Sequence, residues 1–177
     1  MDEQLEKLAR KADKGRNYES PPLHLWNPPL SGDIPIVITA DGSWFHEGGR
    51  IKRESLVQLF ASILRREEDG DYYLVTPAEK WRIKVESHPL VVIDITVLDA
   101  GDTVLEATLN TGKKVKIGKE YPLFLDAEVG EVAAIRLDHG LSALFGRAAW
   151  YRLVEMAEEI DGVPAVTSGG VVYPLVM

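Results

Sequence analysis

Alternating apolar and polar residues in the second half of the chain restrict it to a fold with an antiparallel sheet. The stretches VVIDITVLD and DTVLEATLN meet at Ala100-Gly101, and KKVKIG follows the turn-forming Asn110-Thr111-Gly112. Alternation with a period of two, interrupted by Gly and Asn, is typical of strands joined by tight turns. We therefore predict a three-stranded meander over residues 91–118.

The first half mixes helices with shorter strands. Residues 2–14 have the spacing of a charged amphipathic helix that ends at Gly15, and apolar residues at intervals of three and four predict a second helix from Lys52. In that helix Glu54 would lie in the first turn and Arg65-Arg66 in the last. Three strands are also predicted, at Ile36–Thr39, YYLVT and KWRIKVE, the last two paired.

Further elements follow the meander. VAAIRLD has the pattern of a strand, and GRAAWYRLVEMAEEI that of a helix, with Gly162 as its stop. With these elements the sequence predicts an α+β protein.

A faint repeat links the two central helices. Arg53 begins a pattern that continues through Leu56, Leu59 and Asp69-Gly70 to Thr76, and Arg147 begins a similar one that reaches Asp161-Gly162 and Thr167. Duplication explains the match, but so does chance similarity between two amphipathic helices followed by Asp-Gly turns.

Five prolines between Pro21 and Pro35 exclude a helix there and favour an extended strap. Such a strap can pin Leu25, Trp26 and Leu30 into the core, which we favour, or it can be an exposed ligand for a protein partner.

Composition limits the class of protein. The chain has 177 residues, 45% hydrophobic and 27% charged, no Cys and a net charge of −8, so length alone leaves one or two domains open. No long apolar run and no apolar leader occur, so we expect a cytoplasmic protein without a membrane span. Residues 91–177 carry 7 basic and 13 acidic groups, which argues against coating of duplex nucleic acid.

Common catalytic motifs do not occur. The chain has neither GxGxxG nor GxxxxGK[ST], its four His are far apart, and we predict no metal site and no cofactor. Its serines, among them Ser43, Ser142 and Ser168, lack the GxSxG elbow, so the sequence offers no candidate for hydrolase chemistry.

KWRIKVE carries the strongest binding signal. As a strand it would place Lys80, Arg82 and Lys84 on one face as a basic stripe. A solvated sheet face with Glu79 and Glu86 as counter-charges is the simpler interpretation.

Three stretches together resemble an uncharacterised bacterial family, domain of unknown function 1285: DGSWF, LVQLFASILRREEDGDYYLVTPAEKWRIKVE and LFGRAAWYRLVE. The resemblance implies a duplicated core of one helix and an antiparallel sheet in each of two small domains, with the C-terminal domain similar to pleckstrin homology folds. The implied organisation is a charged N-terminal helix at 1–20, an α+β domain with the strap at 21–88 and the pleckstrin-like domain at 89–177. It also implies a role in signalling and a ligand at the domain interface, of a class that includes nucleotide-like molecules.

The basic stripe and the family resemblance together lead us to expect that the protein is a non-enzymatic cytoplasmic sensor of a small anionic ligand. The expected ligand contacts are Trp44, Arg53, Arg66, Glu79, Lys80, Arg82, Asn110 and Arg136. Trp44 would stack, the cations would bind phosphate or carboxylate, and Glu79 and Asn110 would select by hydrogen bonds. The alternatives are a protein-interaction module that docks a signalling partner, and an enzyme of unrecognised chemistry.

Overall fold

The computed structural model describes residues 3–13 and 21–176. These residues divide into two compact units, Met1–Ser87 and His88–Met177, which we describe separately as unit 1 and unit 2. Helix α1, Glu3–Asp13, opens unit 1 and buries the apolar positions of the predicted helix: Leu5, Leu8, Ala9 and Ala12. The predicted stop at Gly15 lies outside the described residues.

Unit 1 contains one six-stranded sheet and a second helix. Its elements are β1 Gly32–Ile38, β2 Trp44–His46, β3 Gly49–Arg50, α2 Glu54–Ser62, β4 Leu64–Arg66, β5 Tyr72–Val75 and β6 Lys80–Val85. The strand order is β3-β2-β1-β6-β5-β4. Neighbours pair antiparallel except β1 and β6, which are parallel.

Unit 2 contains a second six-stranded sheet, one helix and a small sheet. Its elements are β7 Leu90–Ala100, β8 Asp102–Leu109, β9 Lys114–Lys116, β10 Leu123–Asp126, β11 Val132–Arg136, β12 Ser142–Phe145, α3 Arg147–Met156, β13 Glu158–Ile160, β14 Val163–Ser168 and β15 Val171–Pro174. The strand orders are β10-β11-β12-β7-β8-β9 and β13-β14-β15. Here β12 and β7 form the parallel pair.

The two large sheets have the same topology. Each consists of two three-stranded meanders, and the first strand of one meander pairs parallel with the last strand of the other. The helix and strand pattern of the sequence repeat also occurs in both units, as α2-β4-β5 and α3-β13-β14, but along the chain α2 lies between the two meanders of its unit and α3 follows both. The fold is therefore α+β with a duplicated core, as predicted; the pleckstrin-like character of the second half stays a prediction.

Both central helices end earlier than their patterns predict. Helix α2 ends at Ser62, and Arg65 and Arg66 lie in β4, where they pair with Tyr73 and Tyr72 of β5 rather than closing a last helical turn. Helix α3 ends at Met156, and Glu158–Ile160 forms β13. Residues with adequate helix propensity are recruited into strands because ladder hydrogen bonds and burial in a sheet outweigh local preference.

The strap is anchored by Leu23, which was not predicted; of the three predicted anchors Trp26 is half-buried, and Leu25 and Leu30 are exposed. Leu25 is 67% exposed and Leu30 46% exposed, whereas Leu23, in a short 3₁₀ helix, is 1% exposed. The guanidinium of Arg65 donates to the carbonyl oxygens of Leu23 and Trp26, both at 2.8 Å. One buried leucine and one arginine thus hold the strap against β4, which leaves the other two leucines in solvent.

Candidate functional site

The predicted basic stripe is present on β6 and surrounds an aromatic ring. Arg82 lies directly opposite Tyr73 of β5. The Nζ of Lys80 is 4.7 Å from the centroid of the Tyr73 ring, and the guanidinium carbon of Arg82 is 5.7 Å from it. Both cations lie within the distance at which the negative face of an aromatic ring attracts them. We call Arg65, Glu67, Tyr73, Lys80 and Arg82 the Tyr73 face.

Carboxylates already pair with the cations of the Tyr73 face. Glu67 accepts hydrogen bonds from Arg65 at 2.6 Å and Lys80 at 2.9 Å. Arg82 contacts Asp33 at 3.2 Å and Asp71 at 3.3 Å. This arrangement has the form of an ion-pair network, so an anionic ligand would have to compete with the carboxylates of the protein.

Burial and the neighbouring cations have opposite effects on the pKa of Glu67. Partial burial acts to raise the pKa of the carboxyl group, but the hydrogen bonds and charges of Lys80 and Arg65 outweigh it and hold the pKa below its usual value. Glu67 is therefore ionised near neutral pH and joins two strands, β4 and β6, through its partners.

The other residues of unit 1 expected to bind a ligand do not converge on the Tyr73 face. Trp44 is 1% exposed and stacks on Phe60, with ring centroids 6.3 Å apart, so its ring belongs to the core. Arg53 precedes α2 and contacts Glu6 at 3.6 Å. Arg66 lies over Tyr72 at 5.2 Å.

Glu79 has two partners of its own. Its carboxylate accepts a hydrogen bond from the Nζ of Lys11 in α1 and one at 3.3 Å from the indole nitrogen of Trp81. Burial opposes ionisation of Glu79, but the hydrogen bonds from Lys11 and Trp81 outweigh it and lower the pKa. These contacts tie α1 to the start of β6, which is a structural role.

In unit 2, Asn110 also has a structural contact. Its side-chain oxygen accepts a hydrogen bond from the backbone nitrogen of Val91 at 3.1 Å, and its own backbone nitrogen donates to the oxygen of Val91 at 2.8 Å. Asn110 thereby closes the end of β8 onto the irregular start of β7, where the strand register shifts.

Arg136, like Arg66, is an exposed cation over an aromatic ring. It is the exposed last residue of β11, and its guanidinium carbon is 4.3 Å from the centroid of the Phe124 ring on β10. Within residues 3–13 and 21–176 it makes no ion pair. On the neighbouring strand β12 it lies directly opposite Ser142, so both side chains project from the same face of the sheet.

Ser142 belongs to a chain of hydrogen bonds that passes through a buried histidine. The Nδ1 of His88 is 2.6 Å from the Oγ of Ser142, and its Nε2 is 2.6 Å from a carboxylate oxygen of Asp126. His88 is 8% exposed, and its ring centroid is 6.4 Å from that of Phe124. We call His88, Phe124, Asp126, Arg136 and Ser142 the His88 cluster.

Asp126 is fixed from its other side. Its second carboxylate oxygen accepts a hydrogen bond from the backbone nitrogen of Glu128 at 2.9 Å, at the start of a 3₁₀ helix. The hydrogen bond from His88 is the main reason why the pKa of Asp126 lies below its usual value, and the Glu128 hydrogen bond adds to this effect. The cluster therefore contains an ionised carboxylate, an imidazole and a hydroxyl in series.

Of the residues in this cluster, only Arg136 was among the ligand contacts predicted from the sequence. His88 is separated from Asp126 by 38 positions and from Ser142 by 54, so no local motif links them. Ser142 was set aside because it lacks a GxSxG elbow, a criterion that applies only to one fold. A parallel pairing of β7 with β12, had it been predicted, would have placed His88 near Ser142.

Two further properties concern only the described part of the chain. Over residues 3–13 and 21–176, no group of three or more His, Cys, Asp or Glu side chains is arranged to hold a metal ion. In the same ranges no helix has both the length and the apolar character needed to cross a membrane.

The fold and its repeated sheet define a class of two-unit α+β proteins, and the comparisons with known proteins identify the family. Residues 21–88 match the N-terminal domain, and residues 89–175 the C-terminal domain, of a family described as a domain and protein of unknown function, DUF1285. The chain belongs to the DUF1285 family. No curated protein matches it.

Two solved structures are similar to this chain. A DUF1285 family protein from Silicibacter pomeroyi DSS-3 is 39% identical with a TM-score of 0.85, and the match covers 96% of this chain and 93% of that one. A DUF1285 family protein from Shewanella baltica OS155 is 28% identical with a TM-score of 0.57, and the match covers 69% of this chain and 91% of that one. Their names give the family and no activity.

The ion pairs of Glu67 make acid stability a test of the Tyr73 face. Because the folded pKa lies below the ordinary 4.5, Glu67 contributes stability that is present above pH 4.5 and is lost as the pH falls through the folded pKa. We expect Glu67→Gln to lower the free energy of unfolding at pH 7 by about 1 kcal/mol, since the pairs are partly screened. Urea denaturation should show this difference shrinking below pH 4.5.

Glu68→Gln is the matched control, because Glu68 is the exposed neighbour. It should change the free energy of unfolding little at any pH. Equal effects of the two variants, or a Glu67→Gln difference that does not depend on pH, would contradict the network.

Proposed function

We propose that this protein binds a small anionic ligand, of a class that includes nucleotides, at the His88 cluster of unit 2. The observation that carries the proposal is the environment of Arg136. Its exposed guanidinium lies over the ring of Phe124 and has no carboxylate partner among the described residues. A cation with this support is prepared to receive an anion from solution.

The chemistry of the guanidinium suits such a ligand. Its planar fork can donate two parallel hydrogen bonds to a carboxylate or phosphate. Contact with Phe124 limits the conformations of the side chain, which reduces the entropy lost on binding. Ser142, directly opposite on β12, adds a hydroxyl group on the same face. One charge, one aromatic ring and one hydroxyl are together the kind of groups that orient a small molecule in a binding site.

The Tyr73 face is a weaker candidate for the same role. Lys80 and Arg82 contact Glu67, Asp33 and Asp71, so a ligand that binds them must first displace an ion pair. Binding at Arg136 carries no such cost. The charge of residues 91–177, 7 basic against 13 acidic groups, also favours a small anion over an extended polyanion, because the wider surface repels the latter.

We extend the proposal to the cellular location and the role of the protein. It acts as a cytoplasmic sensor in bacterial signalling, in which ligand binding to unit 2 changes the contacts that the protein makes with other proteins. This extension rests on the expectations attached to the family and on no contact in the structure.

Thermal denaturation tests the binding proposal. We would measure the melting temperature of the full chain with ADP, cyclic AMP, citrate and inorganic phosphate. A ligand that binds only the folded protein at 100 times its Kd adds about 2.7 kcal/mol of stability, which is a readily measured rise. We expect a saturable rise with at least one of these anions.

Three variants locate the site. Arg136→Ala should weaken binding about tenfold or more, because a charged hydrogen bond contributes about 1.5 kcal/mol or more. Lys84→Ala, which removes an exposed cation from β6, is the matched control and should leave binding unchanged. Lys80→Ala tests the Tyr73 face. Loss of binding in Lys80→Ala with full binding in Arg136→Ala, or no rise with any anion, would overturn the proposal.

A second candidate function is docking of a protein partner through the strap. The exposure of Leu25 at 67% and Leu30 at 46% favours it, because two large apolar side chains in one short segment are a common feature of interaction sites. The buried Leu23 and the hydrogen bonds from Arg65 hold the backbone of the segment in place and so present these side chains.

Paired variants separate docking from folding. The double variant Leu25→Ser, Leu30→Ser should keep the melting temperature within about 2 °C, because both residues are solvated, and should lose cross-links to a cellular partner. Leu23→Ser, the buried control, should lower the melting temperature. Cross-links that persist in the double variant would exclude the strap as a docking site.

A further inference from the structure

The His88 cluster contains the three groups of a serine nucleophile with its base and its orienting acid. His88 precedes β7, Asp126 ends β10 and Ser142 begins β12. The two hydrogen bonds of the histidine, each 2.6 Å, join the hydroxyl on one side to the carboxylate on the other. In their roles these three groups correspond to the arrangement that activates serine in unrelated folds, although the two ring nitrogens of the histidine exchange their partners.

The hydrogen-bond partners determine where the protons lie when the imidazole is neutral. An ionised carboxylate only accepts hydrogen bonds, and Asp126 is held ionised, so the Nε2 of His88 must be the N–H donor toward it. The Nδ1 then carries the lone pair and accepts the O–H of Ser142. The hydroxyl proton therefore already points at the base that would remove it.

Burial differs along the chain of groups in the way that catalysis requires. The side chains of His88 and Asp126 are 10% and 17% exposed, which shields their hydrogen bond from water. Ser142 is half-buried, and Arg136 on the same face is exposed. Ser142 thus keeps partial exposure to solvent while the base and its partner are largely protected from it.

We propose that Ser142 is an acyl-accepting nucleophile, that His88 is its general base, and that Asp126 is a positioning residue. The substrate class is an ester of a small molecule that also carries an anionic group for Arg136. Only the preference for an anionic group rests on the proposed function; the reaction at Ser142 does not.

The reaction balances with the groups present. The Oγ of Ser142 forms a bond to the acyl carbon while its proton moves to the Nδ1 of His88. The bond from the acyl carbon to the ester oxygen then breaks, and the leaving alcohol takes that proton. Water adds to the acyl carbon by the same route, which releases the carboxylic acid and restores the hydroxyl. Asp126 keeps its charge throughout and stabilises the imidazolium that forms.

Covalent labelling of the wild-type full chain tests this inference without a variant. A fluorophosphonate probe forms a bond from serine oxygen to phosphorus and releases fluoride. Mass spectrometry of the digested protein then identifies the labelled residue. We expect one label, on Ser142. Labelling of other serines with Ser142 unmodified, or no label after prolonged exposure, would overturn the assignment.

Variants test the roles of the partners. Ser142→Ala should abolish labelling, and Ser55→Ala, which removes an exposed serine in α2 of unit 1, should leave it unchanged. His88→Gln should slow labelling by roughly 10²- to 10⁴-fold, the usual contribution of a general base. If His88→Gln does not fold, the pH dependence of labelling in the wild type provides the same test. A rate that does not change with pH would contradict a histidine base.

Asp126→Asn tests positioning separately from stability. An amide in place of the carboxylate removes the requirement that Nε2 carry the proton, so the labelling rate should fall more than about tenfold and its pH profile should shift. Loss of stability with an unchanged rate and profile would mean that Asp126 has only a structural role.

The two proposals fail separately. The fluorophosphonate probe has no anionic group, so labelling of Ser142 does not depend on a ligand of Arg136. A labelled Ser142 without any anion-induced rise in melting temperature would overturn the proposed function alone. Anion binding with an unlabelled Ser142 would overturn only the inference made here.

Discussion

Each unit depends on one interaction: the first strand of its first meander pairs parallel with the last strand of its second meander. Without it, each unit would have two separate three-stranded meanders with additional exposed edges, which are prone to pair with other chains. Pairing of β1 with β6, and of β7 with β12, joins the meanders into one six-stranded sheet. A parallel pair needs a long connection between its strands, and the remaining strands of the unit provide it.

The same pairing places the candidate sites. Parallel neighbours bring their N-terminal ends together, so Leu90 lies beside Ala143, and His88, two positions before Leu90, is in hydrogen-bond contact with Ser142, one position before Ala143. In unit 1 the corresponding ends are joined by two hydrogen bonds. The backbone nitrogen of Ser31 donates to the carbonyl oxygen of Lys80 at 2.7 Å, and the backbone nitrogen of Lys80 donates to the side-chain oxygen of Ser31 at 3.0 Å. The Tyr73 face is not centred at this end, because Tyr73 pairs with Arg82, the third residue of β6. The two clusters therefore differ in their position on the sheet as well as in their side chains: one is an ion-pair network, and the other retains an exposed Arg136.

The sequence was informative where structure is local and uninformative where it depends on distant pairing. The meander of β7, β8 and β9 followed from alternation and turns, and α2 and α3 followed from apolar spacing. The predicted C-terminal ends of both helices were wrong, because the residues after them form β4 and β13 only when β5 and β14 are available to pair with these strands. Neither parallel pair could be predicted, since no local pattern specifies which distant strand will be the neighbour. For the same reason the stripe on β6 was visible, while the acids that neutralise it, Asp33 on β1 and Glu67 after β4, were not recognised as its partners.

The central claim is that β7 and β12 bring His88 between Ser142 and Asp126 in one protonation arrangement. The most direct measurement is the nitrogen NMR spectrum of the histidine side chains with the imidazoles in their neutral form, with His88 identified among the four histidines by its absence in His88→Gln. The account predicts a proton on Nε2 and an unprotonated Nδ1, in slow exchange with solvent. A ring with its proton on Nδ1, or one that averages rapidly between both forms, would mean that Asp126 does not orient His88 and would contradict the account.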